Sequence, residues 1–97
     1  MAEYVLAFRQ ASKDSTPENE QAWGQWFERI GAQVVDWGRR VGQARMEGAA
    51  ATASDELSGY IVVTAEDLDA AAEIAQGCPG LRAGGRVEVG AVAPAQQ

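Results

Sequence analysis

Two segments of this chain are apolar on both sides of an extended backbone, and that restricts its fold more than any other feature. Residues 3–9, Glu-Tyr-Val-Leu-Ala-Phe-Arg, put Tyr4, Leu6 and Phe8 on one side and Val5 and Ala7 on the other. Residues 57–64 repeat the pattern, with Tyr60, Val62 and Thr64 facing one way and Ile61 and Val63 the other. Strands of this kind belong in the middle of a sheet that is covered on both faces. Arg86 to Val92 reads differently. There Val87 and Val89 alternate with Arg86, Glu88 and Gly90, so one side is polar and an edge position fits.

Between these strands lie two helical segments. Ser15 or Thr16 can cap the first, Pro17 suits its opening turn, and Glu18 and Glu20 favour the positive end of its dipole. Trp23, Trp26, Phe27 and Ile30 then form one apolar stripe, and Gly31 is a natural stop. The second helix starts near Thr64 or Ala65, carries Glu66, Asp67 and Asp69 in its first turn, and ends at Gly77 and Pro79. Its expected buried stripe is Leu68, Ala71, Ala72, Ala75 and Cys78. A further strand begins at Gln33-Val34-Val35-Asp36. Trp37-Gly38 breaks or bulges it, and Arg39 to Met46 continues it. Glu47 to Glu56 lacks an apolar stripe and reads as a mobile connection; Gly80 to Gly85 is rich in turn residues.

The order βαββαβ fits an α+β fold, the ferredoxin-like arrangement with an antiparallel sheet of spatial order 4-1-3-2. That order places the two-faced strands at the centre, as their composition requires. Two helices cover one face of such a sheet. A second copy of the same sheet would cover the other, so an isologous homodimer is the expected state. Residues 1–92 form the domain, and 93–97 read as a flexible C-terminal tail.

Several function classes are disfavoured. The formal net charge is −6 with a single lysine, Lys13, and the thin basic group Arg39, Arg40 and Arg45 is a poor match for a phosphate backbone, so no nucleic-acid partner is expected. Histidine is absent and Cys78 is the one cysteine, which removes Ser-His-Asp triads, Cys-His dyads and zinc sites. Glu66, Asp67, Asp69 and Glu73 lack the glycine and spacing of a calcium loop and read as a solvated helix face. A carboxylate-only site for calcium or magnesium is the one alternative left open; no metal or other cofactor is expected. No apolar run approaches the roughly 20 residues that cross a bilayer, and the start lacks an export signal, so no membrane association and a cytoplasmic location are expected.

The candidate substrate-binding residues are Asp36, Arg39 and Tyr60. Asp36 and Arg39 flank the Trp37-Gly38 break, where a bulge can redirect side chains, and Tyr60 offers a hydroxyl on a central strand. In the functional version Asp36 is a base or orienting acceptor, and Arg39 binds a ligand carboxylate. In the plainer version Asp36 caps a turn, Arg39 is solvated and Tyr60 packs. Trp23, Trp26 and Trp37 are candidates to stack on a planar ligand; Trp23 and Trp26 belong to the helix stripe, where core packing is expected, while Trp37 lies outside it and stays open. Cys78, at the negative end of a helix, is placed for burial rather than reactivity.

The run Trp26-Phe27-x-x-Ile30-Gly31-x-x-Val34-Val35-Asp36-x-Gly38-x-x-Val41-Gly42 resembles the first half of YCII-related domain proteins. The likeness continues through Leu57-Ser58-Gly59-Tyr60-x-Val62-Val63, Asp67-Leu68-Asp69-Ala70-Ala71 and Gly77-Cys78-Pro79 to Gly84-Gly85-x-Val87-Glu88-Val89. The resemblance implies a dimeric α/β barrel of two ferredoxin-like subunits, in a family where some members resemble lactone-processing or dehalogenating enzymes. Two departures stand out. Asp55-Glu56-Leu57-Ser58 occupies the place of an Asp-Gly-Pro-Phe segment found in one branch. Pro17 is followed by Glu18 and Asn19, so a histidine–acid pair proposed for some members cannot form. Two functions are therefore expected in competition. One is binding or processing of a small organic acid or lactone-like compound without cofactor. The other is a non-enzymatic interaction module acting through its dimer or outer surface.

Overall fold

The computed structural model describes residues 1–9, 17–45, 47–48 and 56–93. Strand β1 (Ala2–Arg9) leads to helix α1 (Pro17–Ile30), a 3-10 turn (Gly31–Gln33) and strand β2 (Val34–Arg40). Strand β3 (Leu57–Ala65), helix α2 (Leu68–Gln76), a second 3-10 turn (Pro79–Ala83) and strand β4 (Arg86–Ala91) complete it. The four strands form one sheet in the order β2-β3-β1-β4, and all three pairings are antiparallel. This is the expected 4-1-3-2 arrangement, with the two-faced strands at its centre.

Both helices contribute to one core. Tyr4, Leu6 and Phe8 of β1 and Ile61, Val63 and Ala65 of β3 are buried with Trp26, Ile30, Ala71, Ala75 and Cys78. Val87 and Val89 of β4 pack against the same cluster from the edge. Register explains the layering: Leu6 lies opposite Ile61 on one side and Val89 on the other, so three apolar side chains line up across three strands. The residues between them, Val5, Ala7, Tyr60, Val62 and Thr64, point to the other face and are half-buried. The described helices leave that face bare.

The boundaries differ from expectation in four places, each for a local reason. Strand β2 stops at Arg40 and does not run on to Met46; the last ladder-like bond beyond it runs from the Val41 N–H to the Ser58 carbonyl, at 3.0 Å. β3 extends to Ala65, and the α2 cap is Asp67, whose Oδ1 accepts the Ala70 N–H at 2.8 Å, instead of Thr64 or Ala65. Leu68 is the first residue of α2 and is exposed; Ala71, Ala75 and Cys78 carry the buried stripe. Pro79 opens a 3-10 turn that ends at Gly84 in the left-handed region, at φ 85°. The expected caps Ser15 and Thr16, most of the 47–56 connection and most of the C-terminal tail lie outside the described residues.

Candidate functional site

β2 carries two of the candidate residues, and its pairing with β3 is irregular twice. Val34 opposes Val63, Asp36 opposes Val62, Arg39 opposes Tyr60 and Arg40 opposes Gly59. One extra residue is therefore inserted before Asp36 and another between Asp36 and Arg39. Each insertion shifts the alternation of side chains by one step. The result places Arg39 beside Tyr60 on the bare face of the sheet, since directly opposed residues share a face with Cβ atoms about 4.5–5.5 Å apart. Asp36 sits across from Val62, one pair further along the same face.

The second irregularity has a visible cause. Gly38 adopts φ 62°, a region that glycine enters without penalty. Its N–H donates to Asp36 Oδ1 at 2.8 Å, closing a short side-chain turn. A Cβ at this position would lie 1.9 Å from the Tyr60 carbonyl oxygen and 2.9 Å from its ring. The expected Trp37-Gly38 break is thus a bulge pressed against β3, and Asp36 caps a turn as the plainer version had it. Arg39 is exposed and has no ion-pair partner among the described residues.

One row crosses the bare face from edge to edge: Glu88, Ala7, Tyr60 and Arg39. The next row is Gly90, Val5, Val62 and Asp36. Val5, Ala7 and Val62, with the Tyr60 ring beside them, hence form the floor between Glu88 on β4 and the charged groups Arg39 and Asp36 on β2. At the β4 side, Arg9 Nε and a terminal guanidinium nitrogen both reach Glu88 Oε1 at 3.2 Å. Sequence reasoning marked the polar side of β4 but did not connect it with Arg9, because that link depends on register.

The opposite face is filled by aromatic rings. Phe8 meets Trp23 edge-on at 5.2 Å between ring centres, and Trp26 meets Phe8 and Trp23 at 5.9 and 5.7 Å. Phe27 joins both tryptophans and is itself met edge-on by Trp37 at 5.4 Å. Trp37 therefore extends the α1 stripe from across the sheet edge, while remaining about half exposed at 52%. The three tryptophans are packing groups in the first place.

Cys78 is buried at 2% exposure. Burial pushes its thiol up from 9.0 to about 11, with the backbone N–H groups of Gly80 and Leu81 pulling partly back. Burial, more than the nearby helix end, is what holds it neutral. Two outcomes follow. The native protein should react with a thiol reagent at neutral pH far more slowly than the unfolded chain. The folded-state value lies above the unfolded one, so its stabilising contribution is complete below pH 9 and lost as pH rises towards 11. Urea midpoints measured across that window should fall, and less so for Cys78→Ala.

Glu66, Asp67, Asp69 and Glu73 are all exposed, and Asp67 is engaged as the α2 cap. Among the described residues no cluster of three or more candidate metal ligands is present, and no helix is long and apolar enough to cross a membrane.

Sheet order, helix placement and the bare face together define a small α+β protein of the ferredoxin-like class. The chain belongs to the YCII-related domain family, whose model matches residues 5–95. Among solved structures it is similar to 5-chloro-2-hydroxyhydroquinone dehydrochlorinase (TftG) from Burkholderia phenoliruptrix AC1100, in complex with 2,5-dihydroxybenzoquinone. That likeness has a TM-score of 0.61 at 17% identity and covers 96% of each chain. At such identity it is a likeness of fold. Curated proteins contain no match.

Proposed function

We propose that this protein binds, and in the simplest case processes, a small organic acid or lactone-like compound on the bare face of its sheet, without a cofactor. The observation that carries this reading is the pairing of Arg39 with Tyr60 across β2 and β3, beside a floor of Val5, Ala7 and Val62. A guanidinium presents a fork of donors matched to a carboxylate or enolate, and a phenol adds a directional hydrogen bond. An apolar floor gives a flat ring its contact area. The similar fold that holds a small ring compound adds support without fixing the ligand.

A second copy completes the site in this reading. Val5, Ala7, Tyr60 and Val62 are half-buried with no helix above them, and an isologous partner would remove them from water. Exclusion of water also strengthens the attraction between Arg39 and an anion. Val62→Glu would place a charge in the middle of that interface and is expected to yield a folded monomer by size-exclusion chromatography with light scattering. A variant that stays dimeric would place the interface elsewhere.

The ligand reading is tested by calorimetric titration with 2,5-dihydroxybenzoquinone and with benzoate. Arg39→Ala should weaken the acid that binds by about 10- to 100-fold, the worth of a charge-assisted hydrogen bond, while leaving the melting temperature nearly unchanged. Absence of binding to the wild-type protein by these and other small acids would count against the site.

A second reading rests on a separate observation. Val35 and Trp37 are exposed at 51% and 52% on the edge strand β2, and a half-exposed tryptophan is a residue type that commonly anchors protein contacts. In that case the chain is a non-enzymatic interaction module. Trp37→Ala would then abolish capture of a partner and leave small-acid binding intact; recovery of self-association alone would argue against it.

A further inference from the structure

We infer that Asp36 is a positioning residue for Arg39 and not a base, so that the site accepts ligands that arrive already ionised. The inference rests on the ligand reading above. Counting residues along β2 shows why. With Asp36 opposite Val62, an uninterrupted ladder would set Gly38 opposite Tyr60 and Arg39 opposite Gly59. Gly59 belongs to the helix-facing row with Ile61 and Val63, so Arg39 would then project towards the aromatic core side. The inserted residue moves Arg39 one step, to Tyr60 and the bare face. What holds the insertion in place is the 2.8 Å bond from the Gly38 N–H to Asp36 Oδ1 together with the positive φ of Gly38.

Asp36 thus spends a carboxylate oxygen on its own backbone. The other carboxylates on that face are far from Arg39: Glu88 lies on β4 two strands away from β3 and is held by Arg9, and Glu3 pairs with Thr64, four residues along β3 from Tyr60. No carboxylate on the described part of the face is therefore both unengaged and adjacent to the Arg39–Tyr60 pair. Such a site offers a cation and a phenol to a bound molecule, and its one neighbouring carboxylate is already engaged through Oδ1 in holding the Gly38 N–H. This narrows the two ligand classes proposed above to the acids: carboxylates and acidic hydroxyquinones ionised at neutral pH bind, and neutral esters or lactones bind poorly.

The test uses 2,5-dihydroxybenzoquinone, a vinylogous acid, and its neutral dimethyl ether as paired probes, titrated calorimetrically into wild-type protein, Asp36→Asn and Asp36→Ala. The amide oxygen of Asn can accept the Gly38 N–H and has no basicity to speak of. Expected results are tight preference for the acid over the ether, Asp36→Asn within about 3-fold of wild type, and Asp36→Ala weakened about 10-fold or more, as for Arg39→Ala. Equal losses in Asp36→Asn and Asp36→Ala would overturn the inference, because the negative charge itself would then matter. Unchanged affinity in Asp36→Ala, or equal affinity for acid and ether, would overturn it as well. Should Asp36→Ala fail to fold, the Asp36→Asn comparison decides alone. If wild-type protein binds neither probe nor benzoate, the ligand reading falls first and the positioning role with it.

Discussion

Trp26→Ala is expected to lower the unfolding free energy by about 3–5 kcal/mol, the range for deleting a large aromatic side chain from a packed interior. Trp26 is 1% exposed and touches Phe8, Trp23 and Phe27, so the cavity would open at the centre of the ring cluster. Its indole N–H also donates to the Ile74 carbonyl at 3.3 Å, tying α1 to the last turn of α2. That carbonyl also accepts the Gly77 N–H at 3.3 Å, so the indole adds a second donor to the C-terminal end of α2. Gly77 packs so closely on the indole that an added Cβ would stand 3.0 Å from its nitrogen. For a domain of this size, whose whole stability is of order 5–15 kcal/mol, the loss corresponds to a fall in melting temperature of about 12–40 °C. Trp26→Phe, which keeps a ring and removes the donor, should cost considerably less. Urea denaturation of the two variants separates the terms; a loss below about 1 kcal/mol for Trp26→Ala would contradict the packing described.

Gly38→Ala is the second large effect, expected at about 2–4 kcal/mol from backbone strain combined with overpacking. The positive φ by itself disfavours alanine, and the new methyl would lie 1.9 Å from the backbone oxygen of Tyr60. A backbone atom in a central strand cannot swing aside as a flexible side chain would. Relief requires β2 to move away from β3, which removes the bulge and with it the placement of Arg39. Gly38→Ala should therefore lose ligand affinity as well as stability, whereas Trp26→Ala should lose stability first. Equilibrium unfolding gives the energy, and a change below about 0.5 kcal/mol would show that the bulge relaxes without strain.

The fold was legible because the two central strands announce themselves: Tyr4 to Phe8 and Tyr60 to Val63 carry apolar groups on both sides, and an edge strand such as Arg86 to Ala91 does not. Pro17 and the Trp23–Trp26–Phe27–Ile30 stripe located α1 for equally local reasons. The site was legible only in its members. Asp36, Arg39 and Tyr60 can be named from a break at Trp37-Gly38, yet the direction of Arg39 depends on how many residues are inserted in β2, and each insertion reverses it. Register is a property of two strands together, so no reading of one segment supplies it. The same limit hid the Arg9–Glu88 pair, whose members are 79 positions apart. Leu68 misled for a different reason. Helical spacing marked it as buried, but it sits at the first position of α2 and is half exposed.

Dimer formation through the uncovered side of the sheet is the claim on which the ligand site, its shielding from water and the weight given to Arg39 all depend. Sedimentation equilibrium of the wild-type protein, diluted through the micromolar range, reads it directly. The expected result is a mass of twice the 10.3 kDa chain that persists on dilution. A mass of one chain across that range, with Val5, Tyr60 and Val62 left in water, would contradict the account.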